Sequence, residues 1–297
     1  MGIFQAIDLT KNYGKVPVLD RLNMEVAESS VFGLVGPNGA GKTTMIKILM
    51  NLLRADSGEV RVLGKDSRTI GADDLTQIGY ISENQEFPEW MTVGYLMTYL
   101  KPFYPNWDDD HAAIILRMFD LPAGRALRHL SRGMRMKAMF ASVLAYRPKL
   151  LVMDEPFSGL DPVVREDLID GLRASAAETT IFVSSHDLGE IESFATHVGY
   201  LDRGRLQFNE EMESLTARFR EVEVPGSPPS AIDWPKTWLR REVTPDRVRF
   251  VESRFDAERT ASEIRQVFGE NCQATMTGMQ LRAIFLALAR NAAKERS

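Results

Sequence analysis

A glycine-rich run at Gly36–Thr44, reading GPNGAGKTT, constrains this chain more than any other segment. It matches the pattern G-x-x-x-x-G-K-[ST], in which glycines let the backbone approach phosphates closely and a lysine supplies a cation. An apolar, β-rich stretch precedes the run and a helical pattern follows it. A strand that turns through glycines into a helix directs several backbone N–H groups, and the positive end of the helix dipole, at one point.

The run therefore predicts a nucleotide-phosphate site on an α/β fold. Lys42 is the predicted cation, and the Thr43 hydroxyl is a predicted magnesium ligand. The predicted phosphate-binding residues are Gly36, Pro37, Asn38, Gly39, Ala40, Gly41, Lys42, Thr43 and Thr44.

The composition narrows the class of protein. The chain has 297 residues, which is enough for one large domain and a small one. A formal net charge of −5 makes duplex nucleic acid a poor partner, so we expect none. The single cysteine, Cys272, excludes an intramolecular disulfide. No signal peptide and no apolar window approaching 18 residues is visible, so the sequence predicts that any membrane association is peripheral.

A second chemical feature lies at mid-chain, where Leu150–Met153 is an apolar run followed by Asp154 and Glu155. The run is typical of a buried parallel strand, and ligands of parallel α/β sheets bind at the carboxyl ends of strands. Asp154 is therefore a candidate to hold magnesium through water. Glu155, one residue further, is a candidate to polarise a water molecule against a terminal phosphate.

The chain divides by pattern into four parts. The region around and before residue 82 is strand-rich, residues 84–147 read as mainly helical, and two further apolar strands and a hairpin follow. Beyond 210 the composition shifts to a small α+β tail, with a predicted loop at Val224–Pro235 and a helix capped by Asp256. The strands predicted before residue 210 are Ile3–Leu9, Leu22–Val26, Val31–Val35, Glu59–Leu63, Ile78–Ser82, Leu150–Met153, Thr180–Ser184, Val198–Leu201 and Arg205–Phe208.

Together these motifs resemble the nucleotide-binding subunits of ABC transporters. The resemblance covers residues 3 to about 210, with each motif in the family's order. Beyond the phosphate loop and the acid pair, the matches are Tyr13 at the adenine-stacking position, Leu130–Met134 (LSRGM) at the LSGGQ signature, Pro156–Pro162 (PFSGLDP) at the D-loop, and Ser184–His186 at the switch histidine.

The resemblance implies a phosphate-loop ATPase core with an antiparallel β subdomain and a helical subdomain at about 84–147. It places this ATP-binding domain at 1–210 and leaves an accessory α+β domain at 211–297. It also implies ATP and Mg²⁺ as ligands, Lys42, Glu155 and His186 as catalytic residues, and two subunits that sandwich two ATP molecules head to tail. Ser131 then reaches the γ-phosphate of the ATP held by the partner subunit, and Gly133 and Asp161 are further predicted nucleotide-binding residues.

Two motifs depart from the family pattern. The family usually has Gln in the loop after the Ile78–Ser82 strand, where this chain has Glu83, with Gln85 as a second candidate. A carboxylate at 83 is a candidate magnesium ligand, or a group that repels phosphate. The signature carries Arg132 and Met134 in place of Gly and Gln. None of these changes removes a group that hydrolysis needs, so we expect an active ATPase.

Features after the Glu83 loop are similar to exporter-type ATPases that pair with a separate ABC-2-like membrane permease. These features are Thr92–Leu100 (TVGYLMTYL), Phe103–Asp110 (FYPNWDDD), the LSRGM signature and the tail. The resemblance then places the protein on the cytoplasmic face of the cell membrane. Four aromatic residues fit either local core packing or an exposed docking cluster: Trp90, Phe103, Tyr104 and Trp107.

Two other functions remain open from the residues. The first is a soluble ABC-type ATPase of translation or DNA repair, although such proteins usually have a second cassette, a long coiled coil or zinc-binding cysteines. The second is a non-enzymatic nucleotide sensor, which Glu83 keeps open and which the intact Glu155 and His186 disfavour.

Overall fold

Alternating apolar residues build an antiparallel sheet in the first part of the chain. The computed structural model describes residues 2–83, 85–226 and 234–294, the side chains of 289–294 excepted. The strands of this sheet are β1 (Phe4–Tyr13), β2 (Val16–Val26), β4 (Ser57–Val62) and β5 (Lys65–Asp66). They lie in the order β2–β1–β4–β5, and each neighbouring pair is antiparallel.

Continuous apolar runs build a second, six-stranded sheet. Its strands are β3 (Val31–Val35), β6 (Ile78–Ser82), β7 (Leu150–Asp154), β8 (Thr180–Ser185), β9 (His197–Asp202) and β10 (Arg205–Glu211). They lie in the order β10–β9–β3–β8–β7–β6, and the pairs from β9 to β6 are parallel. Every residue of β3, β7 and β8 is buried, as expected for parallel strands covered on both faces.

Helices connect these strands and carry most of the segment predicted as helical. They are α1 (Lys42–Leu49), α2 (Ala72–Leu75), α3 (Val93–Leu100), α4 (Asp109–Met118), α5 (Arg132–Leu144), α6 (Pro162–Ser175) and α7 (Leu188–Glu192). Five of them begin at side-chain caps, because the hydroxyls of Thr92 and Ser131 and the carboxylates of Asp108, Asp161 and Asp187 accept N–H groups of the first turn.

One apolar core holds both sheets together. The Phe182 ring of β8 lies 5.7 Å from the rings of both Phe4 and Phe32, which belong to different sheets. Ile46 and Leu49 of α1 are fully buried in the same cluster. Helix α1, and therefore the loop that precedes it, is fixed from both sides.

The chain divides into two compact units, Met1–Asn209 and Glu210–Ser297. The second unit contains α8 (Met212–Arg218), β11 (Arg220–Pro225), β12 (Trp238–Val243), β13 (Arg247–Glu252), α9 (Ala257–Phe268), β14 (Thr275–Gly278) and α10 (Leu281–Lys294). Its sheet is antiparallel with the order β12–β13–β11–β14. Trp238 is fully buried in its core and stacks on Phe250, with ring centroids 3.9 Å apart.

The predicted fold class, an α/β core with an antiparallel and a helical subdomain, is confirmed. The predicted loop at Val224–Pro235 was wrong at its start, because Val224 and Pro225 end strand β11. Val222 and Val224 alternate inward there, and a proline is tolerated at a strand terminus. Residues 227–233 of that loop lie outside the described part. Among the described residues, no helix has both the length and the apolar content to cross a bilayer.

We expect Trp238→Ala to destabilise the second unit by about 3–5 kcal/mol, because it removes the largest side chain of that core. Thermal unfolding should then separate into two transitions, with ATP binding kept after the first. Trp90→Ala, at an exposed tryptophan of the first unit, is the matched control. If ATP binding were lost together with the first transition, the two units would not unfold independently.

Candidate functional site

The phosphate loop is shaped at two positions that only glycine fits. A Cβ on Gly36 would lie 2.1 Å from the Leu201 carbonyl oxygen, which is far inside contact distance. Gly41 has φ +110°, and a Cβ there would lie 2.7 Å from the Val18 carbonyl oxygen. The loop therefore lies against the backbone of both β2 and β9, with no room for a side chain between them.

The loop leads directly into the amino terminus of α1. Gly41 precedes the helix, and no side chain caps its first turn. The first N–H groups of a helix have no intrahelical partner, so an uncapped terminus presents donors and a positive partial charge. Pro37, Asn38 and Gly39 are exposed around it, whereas Ala40 and Thr44 are buried. This end of α1 can bind an anion.

Lys42 is buried at the base of the loop and makes two kinds of contact. Its Nζ donates to the Gly36 carbonyl oxygen at 2.7 Å and pairs with Glu155 Oε1 at 3.1 Å. Only 5% of its side chain is exposed. A buried ammonium is stable only when it is paired, so the loop and the acid pair depend on each other.

Asp154 ends β7 and faces the first turn of α1. Its Oδ1 accepts from the Thr43 hydroxyl at 3.1 Å and from the Ser184 hydroxyl at 2.6 Å. A carboxylate beside an alcohol at the edge of a phosphate loop is the oxygen donor set that Mg²⁺ takes, because this ion uses one or two protein oxygens and completes its shell with phosphate and water. Thr43 and Asp154 therefore fit the predicted magnesium site.

Glu155 adopts a backbone conformation that non-glycine residues rarely use, with φ +51°. Its N–H donates to both the carbonyl oxygen and the hydroxyl of Ser184, at 3.2 and 3.1 Å. Its carboxylate is held by Lys42 on one oxygen and by His186 on the other. The surroundings thus hold this carboxylate at the end of the strand.

His186 follows β8 and reaches Glu155 twice. Its backbone N–H lies 3.3 Å from Glu155 Oε2, and its Nδ1 lies 2.7 Å from the same oxygen. Half of the imidazole is exposed, in contrast to the 16% of Glu155. The ring therefore bridges a mostly buried carboxylate and the open face of the site.

Sequence reasoning missed a buried network that supports His186. The Ser185 hydroxyl accepts from the Asp187 N–H at 2.9 Å and donates to Glu190 Oε2 at 2.7 Å, so these groups bracket the histidine. Glu190 also pairs with Arg165 of α6 at 3.2 Å. Burial raises the pKa of the Glu190 carboxyl above its usual value, although the Ser185 hydrogen bond and Arg165 oppose this. The serines at the end of β8 were the visible signal.

Three of the predicted nucleotide-binding residues, Ser131, Gly133 and Asp161, form a separate group. The Ser131 hydroxyl caps α5 through the Met134 N–H, and Asp161 caps α6 through Val163 and Val164. Gly133 is buried where α5 meets α6, because a Cβ there would lie 2.8 Å from Val164. In the described part of the chain, no hydrogen bond or ion pair joins these residues directly to Lys42 or Glu155.

Tyr13 and the Glu83 loop complete the predicted set. Tyr13 is half exposed at the end of β1, with Lys11 Nζ 5.9 Å from its ring centroid. Glu83 follows β6, and its N–H donates to the Asp154 carbonyl oxygen at 3.2 Å. Gln85 has a buried Oε1 without a hydrogen-bond partner and lines a cavity of about 150 Å³ with Glu86, Phe87 and other residues.

The four aromatic residues that fit either core packing or an exposed docking cluster differ in their exposure. Trp90 and Phe103 are exposed by 60% and 59%, respectively. Tyr104 is half-buried and stacks on Tyr146 at 3.7 Å, and the half-buried Trp107 donates to Asp109. Tyr104 therefore packs on a buried ring and Trp90 and Phe103 are exposed, whereas Trp107 is half-buried with a hydrogen bond to an exposed carboxylate.

The ends of the parallel strands bring together a phosphate loop, an acid pair and a histidine. This arrangement defines a nucleoside triphosphatase. The family model described as ABC transporter matches residues 19–158. The bacitracin transport ATP-binding protein BcrA of Bacillus licheniformis is 31% identical over 223 residues, which cover 74% of this chain and 73% of that protein. The lantibiotic transport ATP-binding protein SrtF of Streptococcus pyogenes is 31% identical over 225 residues, covering 69% and 90%.

Solved structures agree with this assignment. An ATP-binding subunit of an ABC transporter, 25% identical, superposes with a TM-score of 0.66 over 72% of this chain and 92% of that one. A dimeric ATP-binding cassette bound to ADP and phosphate, 23% identical, shares the fold with a TM-score of 0.62 over 70% and 98%. The chain belongs to the ATP-binding subunits of ABC transporters and is an ATPase of that family.

We expect Glu190→Ala to lower kcat about tenfold with little change in ATP affinity, because it loosens the support of His186 and leaves Lys42 in place. Glu190→Gln keeps an oxygen for Ser185 and should recover most of the activity. Steady-state ATPase assays and equilibrium binding separate the two effects. Glu166→Ala, at an exposed carboxylate next to Arg165, is the control. A change in ATP affinity equal to that in kcat would contradict a positioning role.

Proposed function

We propose that this ATPase drives export through a separate ABC-2-like permease, at the cytoplasmic face of the membrane. The observation that carries the proposal is the chain of contacts from Lys42 through Glu155 to His186. It brings together a cation for the phosphates, a base and a group that orients the water. Relatives named for bacitracin transport and lantibiotic transport support a transport role. The outward direction rests on the resemblance to exporter-type subunits.

In this proposal the phosphates of ATP replace Glu155 as the partner of Lys42. The α1 terminus and Lys42 take the phosphates, and the exposed Tyr13 ring stacks on the adenine. Thr43 and Asp154 hold Mg²⁺, with Glu83 as a further candidate ligand. Bound magnesium neutralises charge on the phosphate oxygens.

Glu155 becomes the general base when Lys42 turns from it to the phosphates. Its Oε1 then loses its ammonium partner and accepts a proton from the attacking water. His186 keeps its contact with Oε2 and orders the water beside the terminal phosphate. The strained backbone of Glu155 is consistent with such a role, since residues held in rare conformations cluster at active sites.

A second ATP-binding subunit completes each site. Within the ranges that the structure describes, Ser131, Gly133 and Asp161 make no direct hydrogen bond or ion pair to Lys42, which supports a role toward the partner's nucleotide. The Ser131 hydroxyl caps only the Met134 N–H in the first turn of α5, so the Gly133 N–H is left to bind an anion. ATP then joins two subunits, and hydrolysis releases them.

The permease docks beside the Glu83 loop in our proposal. Glu89 and Leu96, which line the same cavity as Gln85, are sequence neighbours of residues in a row of exposed aromatics. That row comprises Trp90, Tyr95, Tyr99 and Phe103, with successive ring centroids 5.4–6.5 Å apart. Exposed apolar patches of this kind mark interaction sites. A cytoplasmic helix of the permease is the occupant that we infer.

Glu155→Gln should keep ATP binding and slow turnover by roughly 10²–10⁴, the range for a lost general base. The amide retains the shape of the side chain but cannot accept the proton. Single-turnover hydrolysis and nucleotide binding measure the two properties separately. Lys42→Ala is the contrasting variant, because it should weaken ATP binding itself. Normal turnover in Glu155→Gln would show that another group is the base.

Co-purification from detergent-solubilised membranes tests the transporter assignment. The tagged chain should retain one multi-span membrane protein, whose presence stimulates ATP turnover. Trp90→Ser combined with Phe103→Ser should reduce its recovery, whereas exposed Val243→Ser in the second unit should not. ATPase activity without any membrane partner would favour a soluble role. ATP binding without phosphate release would favour a sensor.

A further inference from the structure

Two separate departures from the family pattern meet as one ion pair in the structure. Arg132, in the signature segment, places its Nη2 at 3.2 Å from Oε1 of Glu83, which follows β6. The two residues are 49 positions apart in the sequence. The pairing therefore depends on the fold and not on local geometry.

Helix α5 gives no reason for an arginine at this position. Arg132 is the first residue of the helix, where the dipole disfavours cations. The Ser131 hydroxyl already caps the helix, and the first turn contains no acidic residue. A positive charge here opposes helix stability, so its stabilising partners lie outside the helix.

Those partners hold the guanidinium at a defined place. The same Nη2 donates to the Ser158 carbonyl oxygen at 2.8 Å. Gly159 leaves space for the group, because a Cβ there would lie 2.9 Å from Arg132 Nη1. Arg132 thus joins the start of α5, the D-loop and the Glu83 loop within one chain.

Glu83 adds negative charge to a site that must accept a triphosphate. The β6–β7 register pairs Ser82 with Asp154, so Glu83 and Glu155 follow neighbouring strands at the same edge. The Glu83 N–H donates to the Asp154 carbonyl oxygen at 3.2 Å. Three carboxylates therefore lie at this edge, and Lys42 and His186 are already paired with Glu155.

We propose that Arg132 is a positioning residue that compensates the charge of Glu83 in the same chain and so keeps the nucleotide site receptive to phosphate. The inference rests on the site proposed above. An amide at position 83 is neutral by itself. The Glu83 carboxylate is not, and the arginine cancels its charge. The pair is partly exposed, at 55% and 37%, so salt weakens the effect.

A double-mutant cycle tests this pairing. The measured quantity is the affinity for a non-hydrolysable ATP analogue with Mg²⁺, by calorimetry at low ionic strength. Arg132→Ala should weaken binding about three- to fivefold, as expected for a partly exposed pair, because Glu83 then faces the phosphates uncompensated. In the Glu83→Gln background the same substitution should have almost no effect. The loss in the single variant should shrink as salt is raised.

Arg135→Ala is the matched control, since Arg135 lies on the same helix and approaches Glu89 at 3.8 Å. It should leave analogue affinity unchanged, and circular dichroism should show that all variants are folded. An equal loss from Arg132→Ala in both backgrounds would overturn the inference and assign Arg132 to the partner's nucleotide. Failure of the parent chain to bind the analogue would refute the proposed site itself.

Discussion

The ion pair between Lys42 and Glu155 connects the two halves of the nucleotide site. Each charge is mostly buried, so either one alone would be costly and the two are stable only together. Their meeting requires the tight turn at Gly36, the parallel register that ends β3 and β7 at one edge, and α1 fixed between the sheets. In the proposed mechanism, the same pair keeps the Glu155 carboxylate occupied until a phosphate draws Lys42 away. Substrate binding and activation of the proposed base would then be a single event.

Small hydroxyl side chains at the end of β8 organise the groups around this pair. Ser184 holds Asp154 and the Glu155 backbone, and Ser185 joins the histidine turn to Glu190. Through Arg165, that second contact extends to α6, whose cap, Asp161, begins the helix after the D-loop. These contacts connect the first turn of α6 to the turn that carries His186. The geometry suits a site in which a second subunit influences hydrolysis.

The sequence predicted those parts of the site whose signals are local. Glycine spacing identified Gly36 and Lys42, and the apolar run before Asp154 identified the strand that carries Glu155. Contacts between distant segments left no local signal, so Arg165–Glu190 and Arg132–Glu83 emerged only from the fold. Residue type alone also did not separate the exposed Trp90 from the half-buried Trp107. Strand β11 was missed because Pro225 reads as a loop residue, although its two valines alternate inward.

The exposed aromatic row along α3 and its two flanks has a consequence for the isolated chain. Trp90, Tyr95, Tyr99 and Phe103 form a contiguous apolar strip. Removing such a strip from water lowers the free energy. Any apolar surface can cover it, including the same strip on another molecule. Overproduced by itself, the protein will therefore tend to self-associate at high concentration. Mild detergent or a covering partner should restore its colloidal stability.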